Sequence, residues 1–350
     1  MPAGSPAALV HAPRSLLIVQ ALRHSLLAGI WRPHFFEHCS AIAPHTCAWI
    51  IGRASFEEQG RLEQVVGQIV EMCRIAGVFQ VGRIDEYSSA TEDATEAAVD
   101  MYTEQGGEGP DLLLMLHGMG ATGAVWSPMC ASADPRWNGR WLVLDLPGHG
   151  QSDRQDSYAI GQYAASVARA ALPHVHAAGR LVVLGHSLGG VIGLALATGW
   201  FGVAPHHVFA AGIKIAWSDE ELRRMETLAL QPAKKFSTEE EAWDRYLKVS
   251  GLAGIADAAA SVVARGIAQD DSGWRLAMDP RANAVGKPPL PELLRLARCS
   301  VHLGRGGNDA LVTLAQTRAL DPDARDLGPH GHNVMVEAPD QVWDWVASFA

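Results

Sequence analysis

Ser187 stands in Gly185-His186-Ser187-Leu188-Gly189, a five-residue G-x-S-x-G string. Before it runs Leu181-Val182-Val183-Leu184, short, apolar and partly β-branched, which reads as a buried strand. After it runs Val191-Ile192-Gly193-Leu194-Ala195-Leu196-Ala197, which reads as a buried, tightly packed helix. A strand-to-helix turn this tight forces Ser187 into a strained backbone conformation and pushes its Oγ out at the carboxyl edge of the sheet. Gly185 and Gly189 lack the Cβ atoms that would collide there. A free serine hydroxyl is a poor nucleophile at neutral pH. It needs a neutral imidazole to take its proton and a carboxylate to hold that imidazole in the right tautomer.

Strand, turn and helix together resemble the nucleophile elbow of the α/β-hydrolase superfamily. The resemblance spans roughly residues 95–350. It implies an α/β fold with a mostly parallel central sheet flanked by helices and a helical cap inserted before the penultimate strands. Leu112-Leu113-Leu114-Met115-Leu116 followed by His117-Gly118-Met119-Gly120 is similar to the family's first buried strand and oxyanion loop. That likeness implies two backbone donors, the N–H of Met119 and the N–H of Leu188 just after the nucleophile. Cys299-Ser300-Val301-His302-Leu303 reads as a later strand, and the loop after it sits where the family carries its triad acid, which implies Asp309. Asp219, just past the preceding strand, is the competing acid, but Trp217-Ser218-Asp219-Glu220 looks like a helix start. The closing string His330-Gly331-His332-Asn333, with Glu337-Ala338-Pro339 beyond it, is similar to the family's Gly-His-Asn and Glu-x-Pro pattern. That spacing selects His332 over His330 as the base. Ser187, Asp309 and His332 then follow the chain order of α/β-hydrolases.

Asp145-Leu146-Pro147-Gly148-His149-Gly150-Gln151-Ser152 is a string common in capped members of the superfamily. Asp145 and His149 are expected to hold this loop rather than do chemistry. From about 217 to 298 the pattern turns helical, with Ser218 to Leu230 and Thr238 to Val249 as segments, and this stretch resembles the cap. A serine at the elbow separates the chain from relatives that attack with aspartate, such as epoxide hydrolases and haloalkane dehalogenases. It implies acyl transfer through an acyl-enzyme, most simply on an ester, a reaction that calls for no cofactor and no metal. The same triad also serves C–C bond hydrolysis, cofactor-free peroxidation or acyl transfer to an alcohol. A non-catalytic binding protein on this scaffold is the remaining class, and an intact Ser, His and Asp set argues against it.

Bulk composition bounds the rest. The 350 residues carry a formal net charge of −10 with 48% hydrophobic and 19% charged residues, an ordinary globular composition. Such a charge argues against a nucleic-acid partner and gives no basic stripe for anionic lipid; the family resemblance implies instead a small-molecule substrate, expected to be partly apolar. Five cysteines without C-x-x-C spacing indicate neither a disulfide framework nor a zinc site, so a reducing, cytoplasmic setting is expected. Residues 1–80 look like an extension, acid-free before Glu37, whose Ser15–Leu22 apolar run is interrupted by Arg23 and His24 and falls short of a membrane span. That start also resembles an organelle transit peptide. Within it Glu58 to Ile75 has the spacing of one amphipathic helix. The hydrolase domain is placed at 81–350, opening with an edge strand near Ala98–Tyr102 and a turn at Gly106–Pro110. A last helix over Asp340–Phe349 should pack on the sheet through Val342, Trp343, Val346 and Phe349.

Overall fold

A computed structural model describes residues 99–349, apart from 134–135, 177–178 and 258. The extension over residues 1–80 and the helix expected within it lie outside the described residues.

Seven strands form the central sheet: β1 Thr103–Gly107, β2 Leu112–Leu116, β3 Arg140–Leu144, β4 Leu181–His186, β5 His207–Ala211, β8 Ser300–Arg305 and β9 Arg325–Asp326. Their spatial order is β1-β3-β2-β4-β5-β8-β9. Every neighbouring pair is parallel except β1 with β3. β2 is built from leucine and methionine, residues with strong helix propensity. It is a strand because both its faces are covered, and glycine and proline bound it on the N-terminal side. Leu112, Leu114 and Leu116 point into one apolar layer, Leu113 and Met115 into the other, and all are buried. Burying each such side chain contributes roughly 1.5–3 kcal/mol.

Helices cover both faces. The first layer holds α2 Ile160–Ala171, α3 Leu188–Ala197 and α6 Leu290–Leu296, through Tyr163, Val167, Ile192 and Leu293. The second holds α1 Ser127–Ala131, α8 Val334–Glu337 and α9 Pro339–Ala347, through Met129, Met335, Trp343 and Trp345. Trp343 is fully buried and its indole N–H donates to the carbonyl of Met129 at 3.1 Å, so the last helix is bolted to the first. On α9 it is Trp345 that joins Val342, Trp343 and Val346 in the core, whereas Phe349, just beyond the helix and 45% exposed, still packs its ring on the sheet, 4.0 Å from that of His302.

The edge strand also differs from expectation. It runs over Thr103–Gly107, so the Gly106-Gly107 pair lies in the strand and the turn begins after it. Gly106 pairs with Trp141, and a Cβ there would strike the indole, so glycine serves the packing here.

Between β5 and β8 the chain carries an insertion with α4 Asp219–Ala229 and α5 Glu239–Val249. Ser218 and Glu221 form a capping box on α4, and Thr238 caps α5 by accepting from the Glu241 N–H at 3.2 Å. The insertion is not wholly helical. It contains a hairpin of β6 Ile267–Asp270 and β7 Gly273–Leu276, whose turn is set by Asp270 accepting from the Ser272 N–H and by a left-handed Gly273. A short α7 over Leu314–Leu320 follows β8. Among the described residues no helix is long and apolar enough to cross a membrane.

Candidate active site

Ser187 sits between β4 and α3 with φ 50° and ψ −113°. It is one of two non-glycine residues with left-handed φ among the described residues, the other being Arg265. A Cβ on Gly185 would collide with the carbonyl of Gly189, and one on Gly189 with the carbonyl of Leu116. The two glycines therefore let helix and strand meet behind the serine. The Ser187 N–H donates to Ala211 at 2.8 Å, which ties the turn to the end of β5.

Asp309 lies in the loop after β8. The guanidinium of Arg305, buried at the end of that strand, donates to the carbonyls of Val312 (2.9 Å), Gly307 (2.9 Å) and Asp309 (3.2 Å). One Asp309 oxygen accepts from the Leu311 N–H at 2.8 Å, and the other lies 2.8 Å from His332 Nδ1. With Nδ1–H directed at the carboxylate, Nε2 is left as the basic nitrogen.

The loop bearing His332 is held from several sides. The Gly331 N–H donates to both Glu337 oxygens, at 3.0 and 2.9 Å. The Asn333 amide donates to the carbonyls of Ser250 (3.1 Å) and Gly251 (2.9 Å), at the end of α5. Gly212, at φ 65°, leaves room for the pair, since a Cβ there would lie 3.2 Å from the imidazole and 3.3 Å from Asp309 Oδ2.

Ser187 and His332 line one cavity of about 540 Å³. Met119 and Leu188 line it too, beside Trp217, Met225 and Val249 from the insertion. Leu188 opens α3, so its N–H lacks an intrahelical partner. A Cβ on Gly118 would come within 3.2 Å of Ser187 Cβ, which measures how closely this loop approaches the serine.

Two buried histidines fix that loop. His117 Nε2 accepts from the Leu146 N–H at 2.8 Å while Nδ1 donates to the Gly118 carbonyl at 2.8 Å. His149 Nε2 accepts from the Gly120 N–H at 3.3 Å while Nδ1 donates to the Pro147 carbonyl at 3.1 Å. Each arrangement requires a neutral ring, and burial lowers both pKa values, that of His149 to about 3. Asp145, fully buried, accepts from the N–H groups of Gly123 (2.7 Å) and Gln151 (3.0 Å) and from Arg265 (3.0 Å). Asp145 and His149 thus hold loops and lie outside the cavity lining, as do Asp219 and His330. Asp219 is an exposed first-turn residue of α4.

The family's sequence profile, described as the alpha/beta hydrolase family, matches residues 113–345, more than half of the chain. The chain belongs to the alpha/beta hydrolase family. A pimeloyl-[acyl-carrier protein] methyl ester esterase of Vibrio vulnificus is 33% identical over 100 residues, 29% of this chain and 36% of that protein. The chain thus matches about a third of the length of such curated relatives. The dihydrolipoyllysine-residue acetyltransferase component of an acetoin cleaving system from Pseudomonas putida is 28% identical over 268 residues, 71% of this chain and 65% of that protein. Among solved structures, an E-2-(acetamidomethylene)succinate hydrolase superposes with a TM-score of 0.59 at 22% identity, covering 72% of this chain and 96% of the other. That likeness speaks for the fold.

Several residues that shape the site are not foreseen from sequence: Arg305, Gly212, Asn333, Arg265 and His186. His186 and Asn333 stand inside the short strings around Ser187 and His332, which mark their positions but not their contacts, and Arg305 ends a strand. The others act through contacts between distant segments.

Proposed function

We propose that this member of the family is a serine hydrolase that cleaves an ester through an acyl-enzyme. The observation that carries the reading is that His332, held 2.8 Å from Asp309, lines the same cavity as a strained Ser187. In this reading Ser187 Oγ attacks the ester carbonyl carbon and its proton passes to His332 Nε2. The carbonyl oxygen becomes an oxyanion that takes N–H donors from Met119 and Leu188, each such donor being worth about 10²–10³ in rate. Collapse breaks the ester C–O bond as His332 returns the proton to the departing alkoxide. Water then attacks the acyl-enzyme by the same route in reverse, releasing the acid and regenerating Ser187. Asp309 stays ionised throughout and stabilises the imidazolium.

The insertion then serves as the cap, and its Trp217, Met225 and Val249 favour a partly apolar acyl group. A cytoplasmic setting goes with this reading, since Cys130 and Cys299 are free thiols. The esterase among the relatives supports the ester; the acetyltransferase component among them favours a second outcome, in which an acceptor other than water, such as an alcohol or a thiol, takes the acyl group.

The test is intact-mass analysis after exposure to a fluorophosphonate, on the parent protein and on Ser187→Ala. One adduct on the parent and none on the variant is expected. A folded parent that takes no adduct would sink the reading. Adding an alcohol during ester turnover then separates hydrolysis, which yields acid alone, from transfer, which yields the new ester.

A further inference from the structure

We propose that His186, the residue before the serine, is a positioning residue that sets the base through the backbone of His332. The inference rests on the serine-hydrolase reading and deepens it. His186 is buried, and its Nε2 lies 2.9 Å from the carbonyl oxygen of His332. A carbonyl can only accept, so Nε2 carries the proton. Its ring packs against that of His332 with centroids 4.5 Å apart and planes inclined by 60°. One side chain thus grips both the main chain and the ring face of the proposed base, while its own backbone leads directly into Ser187.

Nδ1 of His186 has no hydrogen-bond partner. It faces Gly118, where a Cβ would lie 2.9 Å away. Leaving a buried acceptor bare is unfavourable, a penalty an apolar ring of similar size would avoid. The feature that distinguishes histidine from such a ring here is the N–H on the His332 carbonyl. Burial and the neighbouring His332 hold its pKa well below the ordinary 6.5, which keeps this ring uncharged beside the ring that must take the proton. Asp309 fixes the His332 ring at Nδ1 and His186 fixes the main chain that carries it. The two contacts together define where Nε2 stands relative to Ser187. A shift of about 1 Å in such a group costs on the order of 10²-fold in rate.

His186→Phe keeps the ring and removes the donor; His186→Gln restores an N–H donor without the ring. With thermal unfolding confirming the fold of each, the Phe variant should react with a fluorophosphonate about 10–100-fold more slowly than the parent, and Gln should recover most of the loss. Ester turnover should fall in kcat with KM nearly unchanged. A labelled parent matched by an equally reactive Phe variant would overturn the positioning role alone. Equal losses in Phe and Gln would overturn it too. A folded parent that takes no adduct overturns the hydrolase reading, and this role with it. Nitrogen-15 NMR of the parent tests the geometry without any variant. A neutral Nε2–H tautomer of His186 through pH 6–8 is expected, and an Nδ1–H tautomer would overturn the proposal.

Discussion

Where single side chains decide, the proposed chemistry makes sharp demands. Replacing His332 with alanine should lower kcat/KM by at least about 10³-fold, while His330→Ala should leave most of it, because only His332 contacts Asp309 and lines the cavity. Steady-state ester kinetics check both; the reverse ranking would move the base. Gly212→Ala is the subtler probe. It places a Cβ 3.2 Å from the His332 ring at a φ of 65°, so it should cost roughly 1 kcal/mol in stability and a larger factor in rate. Activity per folded molecule measures the second. Ser187, Asp309 and His332, the residues proposed for the triad, each sit in a short string that marks them in the sequence. Gly212 carries no such mark. Its role arises where β5 ends beside two loops far along the chain, and no local pattern encodes that meeting.

Elements that announce their own ends were the readable ones. Ser218 and Thr238 mark the starts of α4 and α5, and the structure places a cap at each. The β6–β7 hairpin was hidden because its strands are only four residues long and lie in a stretch with helical spacing on both sides. What docks the insertion was equally hidden. Arg265 adopts φ 65°, stacks its guanidinium 4.3 Å from the Tyr102 ring, and bridges Glu104 on β1 at 2.6 Å and Asp145 at 3.0 Å. Arg265→Met should cost about 3–5 kcal/mol, since it leaves a fully buried Asp145 carboxylate without its cation. Urea unfolding at pH 7 measures this, and a loss under 1 kcal/mol would show that the two backbone donors to Asp145 suffice. Asn333→Ala, which removes the donors to Ser250 and Gly251, should loosen the end of α5 and speed hydrogen exchange there.

Across the described residues as a whole, pH sensitivity is stored in buried imidazoles. His117, His149 and His186 are all held neutral by burial, below their ordinary value of 6.5. The unfolded chain binds protons there that the folded chain refuses, so stability is full above about pH 6.5 and falls as pH drops, for His149 down to about 3. Each histidine contributes up to about 1.4 kcal/mol per pH unit in that window. Denaturant titrations at pH 7.5 and 5.5 should show the loss; equal midpoints would contradict the assigned neutral tautomers. The sheet order has a further consequence, one of timing. β5 pairs with β8 across the whole insertion, and the Gly212 N–H closes on the Gly304 carbonyl at 2.9 Å. Ser187 can be in its turn while Asp309 and His332 are still unattached chain. Non-local parallel pairing is slow to form, so the site should be the last part of the molecule to exist. During refolding from urea, helical signal should return first and serine reactivity should lag behind it. In a cell, a chain caught between those two moments would be compact while the proposed nucleophile still lacked the proposed base and acid.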